Sequence, residues 1–195
     1  MKRITLAVLA AAGFTMAVAA PAAAQSGTTL GVGIGITNPM GDWKDKTNGL
    51  GDKLGFHFGV GAGLALGSAP VRLRVEGSYT QTSHQSGFNG HTKLLGGMVS
   101  LVYPFATAGS IKPYVLAGVG ATRIKIDDGA GNDTSKTSVS FGGGAGIRFP
   151  LSSMSAFVEA RYLTMKAPDV FLNGKTTFSQ LPITVGLSFP LGGKK

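Results

Sequence analysis

From residue 54 to residue 66 the chain reads Leu-Gly-Phe-His-Phe-Gly-Val-Gly-Ala-Gly-Leu-Ala-Leu. Every even position is apolar, and the odd positions hold Gly55, His57, Gly59, Gly61, Gly63 and Ala65. A period of two kept this long predicts a strand with one apolar face and one face nearly without side chains. At about 3.3 Å per residue the run covers roughly 40 Å, whereas a tilted membrane-spanning strand needs only about 9 to 11 residues. A soluble sheet would turn a polar, well-filled face to water; here that face is glycine.

The alternation recurs along the chain and predicts strands at residues 29–36, 54–66, 71–80, 93–103, 111–126, 137–149, 154–165 and 178–189. In the third, Val71, Leu73, Val75, Gly77 and Tyr79 oppose Arg72, Arg74, Glu76, Ser78 and Thr80. In the sixth, Val139, Phe141, Ala145, Ile147 and Phe149 oppose a serine and glycine face that ends in Arg148. In the seventh, Ala156, Val158, Ala160 and Tyr162 oppose Phe157, Glu159, Arg161 and Leu163. The fourth is less regular, although Leu95, Val99, Leu101 and Tyr103 share parity. The fifth leaves both faces open, because Val115, Ala117 and Val119 compete with Tyr114 and Leu116.

Turn chemistry separates these runs: Asn38-Pro39, Gly41-Asp42, Asn48-Gly49 and Gly51-Asp52 mark residues 37–53 as the longest loop. Connections alternating long and short describe a hairpin meander. A closed barrel is the only spanning sheet without unsatisfied edges, so the predicted fold is all-β, an eight-stranded antiparallel up-and-down transmembrane barrel. An even strand count puts both chain ends on the periplasmic side. A soluble lipocalin-like barrel is the structural rival, and it predicts the inverse arrangement, apolar inside and polar outside.

The amino end changes the picture of where the domain starts. Lys2 and Arg3, the apolar run 4–20 and the small residues Pro21-Ala22-Ala23-Ala24 form the three-part pattern of a secretory signal peptide, cleaved after Ala24. Residues 1–24 are thus expected to be removed, leaving residues 25–195 as one barrel domain and lowering the formal charge from +9 to +7. No stretch of the mature chain has 18 consecutive apolar residues, which excludes a helical membrane protein. The chain has no cysteine, so no disulfide holds the exported domain. Its basic charges are scattered through turns and strands, which argues against nucleic acid and for anionic lipid headgroups.

Three segments, Lys112-Pro113-Tyr114-Val115-Leu116-Ala117-Gly118-Val119-Gly120, Gly142-Gly143-Gly144-Ala145-Gly146-Ile147-Arg148-Phe149-Pro150 and Phe157-Val158-Glu159-Ala160-Arg161-Tyr162, carry a resemblance across essentially the whole mature chain. The chain resembles the small eight-stranded outer-membrane β-barrel family, the OmpA/OmpX-like and opacity-type, porin-like surface proteins. The resemblance implies residence in the bacterial cell outer membrane and a carboxy-terminal signal for the barrel-assembly machinery. Thr184, Gly186, Phe189 and Leu191 match that signal, although the chain runs on from Pro190 to Lys195 where such chains usually stop.

Among chemistry-bearing residues, Arg72, Arg74, Glu76, Arg148, Glu159 and Arg161 take the inward parity. An eight-stranded barrel is just wide enough for its side chains to fill, and a lone buried ion costs several kcal/mol, so these six are expected to pair as a plug. A gated ion path along them is the alternative. His84 and Ser86 resemble the His/Ser pair of outer-membrane lipid A deacylases. A hydrolase also needs an acid to orient the histidine, and no Asp or Glu lies between Gly77 and Ile126.

His57 and His91 read as hydrogen-bonding residues, Trp43 as an interfacial belt residue, and Asp127, Asp128 and Asp133 as solvated. The expectation is a non-enzymatic, structural or adhesive barrel, monomeric, with no cofactor, no metal and no catalytic residue. A narrow pore for small solutes is the competing class. Its expected partners are outer-membrane lipid and lipopolysaccharide, whose phosphates would meet Lys44, Lys46, Lys53, Lys93, Arg123, Lys125, Lys136 and Lys175.

Overall fold

The computed structural model describes residues 27–44, 51–84, 90–127, 133–166 and 177–191. The signal peptide, Ser86, Asp128, Lys46 and Lys175 lie outside the described residues. Eight strands run in sequence order: β1 (Thr28–Met40), β2 (Gly55–Ala65), β3 (Arg72–Ser83), β4 (His91–Pro104), β5 (Lys112–Asp127), β6 (Asp133–Pro150), β7 (Ser155–Lys166) and β8 (Thr177–Leu191). Each pairs antiparallel with its sequence neighbours, and β8 returns to β1 to close the barrel. The one helical turn described is a 3-10 turn, Gly41–Trp43, so among the described residues no helix is long and apolar enough to cross a membrane.

The two faces separate as the alternation requires. Ile34, Val139, Phe141 and Val185 are each more than half exposed, while Thr37, Thr80, Ser100, Ser140, Glu159 and Gln180 are buried. In water this ring of exposed side chains would forfeit about 25 cal/mol per Å² of apolar surface. Facing hydrocarbon, it is the outward apolar band of a spanning barrel. The lipocalin-like alternative requires the reverse and fails.

Register settles the two ambiguous strands. Val99 pairs with Val119 and Leu101 with Ala117, which puts Val115, Ala117 and Val119 outward and Tyr114 and Leu116 inward. Leu94, Met98 and Val102 on β4 and Ile124 and Ile126 on β5 are buried inside as well. Both strands are therefore apolar on both faces over much of their length, and parity alone could not choose between them.

Several strands are longer than their apolar runs. Asn38 and Pro39, expected in a loop, continue β1 opposite Leu181 and Gln180. Gln81, Thr82 and Ser83 extend β3, and Asp133 to Lys136 belong to β6. The connections 84–90 and 128–132 are thus no longer than the turn 105–111, which corrects the expected long and short alternation. Above the hydrocarbon the outward face need not be apolar, so backbone pairing continues through polar sequence. At the other rim β8 runs past Phe189 through Pro190, opposite Thr29, to Leu191, opposite Thr28.

Candidate functional site: the barrel lumen

Inward side chains of β3 and β7, which stand opposite one another in the ring, meet across the lumen. Arg74 Nη1 donates to Glu159 Oε2 at 2.7 Å, and its distance to Glu76 is 3.7 Å. Arg161 spans the gap, donating through Nη2 to Glu76 Oε2 at 2.9 Å and through Nη1 to Oε1. Its Nε donates to Glu159 Oε1 at 2.8 Å. The Tyr114 hydroxyl from β5 adds a third donor to Glu159 at 2.8 Å. The Glu159 side chain is 4% exposed, and a carboxylate that deep is tolerable only with several donors.

β6 makes room for this layer. Gly144 pairs with Arg161 and Gly146 with both Glu159 and Tyr114. A Cβ on Gly144 would stand 2.8 Å from Arg161 Cγ, and one on Gly146 would stand 2.5 Å from the Tyr114 hydroxyl. At Gly144 the nearest atom is the Ala160 carbonyl oxygen, so alanine there would press on the backbone of β7 as well as on Arg161, while at Gly146 it would press first on the Tyr114 ring.

Four of the six expected lumen ions thus come together: Arg74, Glu76, Glu159 and Arg161. The other two do not find a carboxylate among the described residues. Arg72, at the start of β3, donates to the Gly27 carbonyl. Arg148 places its guanidinium carbon 5.7 Å from the Tyr114 ring centroid, where Arg74 also sits at 5.6 Å. The Arg148 Nε is buried with no hydrogen-bond partner.

The outer mouth carries a second cluster that the alternation did not foreshadow. Trp43 is fully buried, stacked on Phe178 with ring centroids 5.0 Å apart and planes 8° apart. With Leu94, Ile124, Ile126 and Met165 these rings form an apolar stopper. This corrects the interfacial-belt reading of Trp43: the 3-10 turn folds it over the mouth, away from lipid. Its indole N–H donates to Asp52 Oδ2, which also accepts from Thr82 Oγ1.

Asp52 Oδ1 lies 3.4 Å from His84 Nε2. The first loop therefore supplies the acid that the local sequence around His84 lacks. That same Nε2 makes its hydrogen bond with Thr92 Oγ1 at 3.0 Å, and Asp52 Oδ1 is left without a hydrogen-bond partner, whereas a triad histidine is hydrogen-bonded to its acid through one nitrogen and faces its nucleophile with the other. The cluster is arranged as a latch. His57 is a lumen hydrogen-bonding residue, its Nδ1 2.9 Å from Thr80 Oγ1.

The family model that describes the outer membrane protein beta-barrel domain matches residues 6–192. The chain belongs to this outer-membrane barrel family. Among solved structures, Neisserial surface protein A is similar at TM-score 0.67 with 20% identity, over 85% of this chain and 97% of its own. Ail, the attachment invasion locus protein of Yersinia pestis, matches at 0.48 with 19% identity over 85% and 99%. The N-terminal β-barrel domain of Pseudomonas aeruginosa OprF matches at 0.47 with 15% identity over 85% and 100%. The likeness to Neisserial surface protein A, at 20% identity, shows a shared fold and nothing beyond it. No curated protein matches the sequence.

As an outer-membrane barrel of the small eight-stranded kind, the protein sits in the bacterial outer membrane with its outward wall against lipid. On that wall, above the apolar band, Lys93 pairs directly with Lys125, and Arg123 follows two positions below, its guanidinium 3.2 Å from Ser135 Oγ. Lys136 pairs with the buried Ile124 and so takes the axis-side parity, away from this group. The assembly-signal positions divide as well. Thr184 and Gly186 share the inward parity, whereas Phe189 pairs with Leu30 on the lipid side near the lower rim.

Proposed function

We propose that this outer-membrane barrel is a non-enzymatic, monomeric surface protein with a closed lumen, contributing envelope integrity and surface contact. The observation that carries the reading is the ion layer, in which Arg161 on one wall reaches Glu76 on the opposite wall. The Trp43 stopper adds a second obstruction above it. With solutes excluded from the lumen, the parts left to meet partners are the outer wall and the loops.

In this reading Lys93, Lys125 and Arg123, which share the lipid-side parity above the apolar band, meet lipopolysaccharide phosphates there. Thr184, Gly186, Phe189 and Leu191 serve the barrel-assembly machinery after removal of residues 1–24. Purified, refolded protein in planar lipid bilayers tests the closed lumen. The expected trace shows no steady conductance, and stable open channels in the unmodified barrel would overturn the reading.

A narrow pore is the second reading, favoured by one observation. Cavities of about 80 and about 20 Å³ lie on either side of the ion layer, and Glu76 and Arg161 line both. Only the displacement of these side chains separates a closed barrel from a continuous path up to the stopper.

A further inference from the structure

The larger of the two lumen cavities lies at the short-turn end. Four arginines line it, Arg72, Arg74, Arg148 and Arg161, against two carboxylates, Glu76 and Glu159. Arg74 and Arg161 already satisfy both carboxylates. Two guanidinium charges therefore remain without an acidic partner among the described residues, and both face one chamber. Native structures pair more than about nine in ten of their buried polar groups, yet Arg148 Nε is buried and unpartnered. Its contact with the Tyr114 ring is a weak substitute for an anion.

The rest of the chamber is built from small groups. Gly31, Gly63, Thr29 and Ser188 line the walls facing the arginines, leaving about 80 Å³, where a single liquid water takes up roughly 30 Å³. The ion layer closes its upper end. Arg72 meets Gly27 in an exposed contact at the lower rim, so solutes reach the chamber from the periplasmic side. A guanidinium presents a planar fork of donors matched to two oxygens of one oxyanion.

We propose that this chamber binds a small inorganic oxyanion of the phosphate class, held between Arg72 and Arg148 and capped by the ion layer. The site is a dead end: the anion neutralises the surplus charge of the lumen and ties β3 to β6 across the lower rim. Anion binding in this chamber does not depend on whether the lumen above it conducts.

The test uses the full folded barrel in uncharged detergent, titrated with inorganic phosphate at constant ionic strength. Calorimetry is expected to show saturable, single-site binding. Arg148→Gln and Arg72→Gln, each shown to be folded by heat-modifiable migration on a gel, are expected to weaken it by about tenfold or more. In the unmodified protein the backbone amide resonances of Gly31, Gly63 and Ser188 should shift with the same saturation curve, which keeps the test decisive if either variant does not fold. Absence of saturable binding, affinity retained in the folded variants, or amide shifts confined to the outer loops and the Lys93 and Lys125 wall would overturn the proposal.

Discussion

Glu159 collects Arg74, Arg161 and the Tyr114 hydroxyl at one depth, and the space for that convergence comes from Gly146. Gly146→Ala should therefore strike the layer through Tyr114. Over-packing of this kind costs about 1–3 kcal/mol, and the urea midpoint of the folded barrel in vesicles, followed by the fluorescence of the single tryptophan, should fall accordingly. Gly31→Ala is the control, since a Cβ there meets nothing nearer than backbone oxygens at 3.8 Å, and its midpoint should not move. Equal losses at both positions would show that lumen glycines matter for backbone reasons alone.

At this scale the inward parity of Arg74, Glu76, Glu159 and Arg161 was legible in the alternation, because each sits among small residues opposite a lipid-facing set. The partner choice was not. Nothing in the local sequence tells Arg148, which finds an aromatic ring, from Arg161, which finds two carboxylates.

Among the elements, the first loop and its 3-10 turn contribute more than their length suggests. Asp52 is buried and accepts from Trp43 and Thr82 while facing His84. It thereby pins the loop to β3 and holds Trp43 over the mouth. Hydrogen bonds to a charged group are worth about 1.5–3 kcal/mol each. Asp52→Ala is therefore expected to free the turn: tryptophan emission should move to longer wavelength and become accessible to iodide, with the barrel still heat-modifiable. Unchanged emission and quenching would mean that stacking on Phe178 alone keeps Trp43 in place.

No pattern along the chain announces this latch, since Asp52 and His84 belong to different connections and meet only when β2 pairs with β3. The doubly apolar strands β4 and β5 hid the stopper for a related reason. Apolar residues on both parities of β5 leave the direction of Ile124 and Ile126 open, and the available signal for them and for Leu94 is the parity they share with Thr92 and Thr122. Strand ends were misjudged at the outer rim, where polar residues pair as readily as apolar ones once lipid is left behind.

On the scale of the whole molecule, the wall and the lumen are two solvents separated by one layer of backbone. The lumen itself is zoned, from the apolar stopper through the ion layer to the arginine chamber. The eight-strand meander, its closure and its lipid-facing side were readable from a period of two, because a barrel side chain has only two directions to take. The zoning was not, since depth along the axis depends on register between strands.

The orientation of that wall decides which side chains meet lipid, and the absence of cysteine makes it directly measurable. Single cysteines placed at Ile34, Val119 and Val185, and at Ser100, Thr122 and Ser140, would carry nitroxide labels in protein reconstituted into bilayers. The first three are expected to collide freely with oxygen dissolved in the lipid and hardly with a water-soluble nickel complex, while the second three are shielded from the lipid. Oxygen accessibility as high for Ser100, Thr122 and Ser140 as for Ile34, Val119 and Val185 would contradict that orientation.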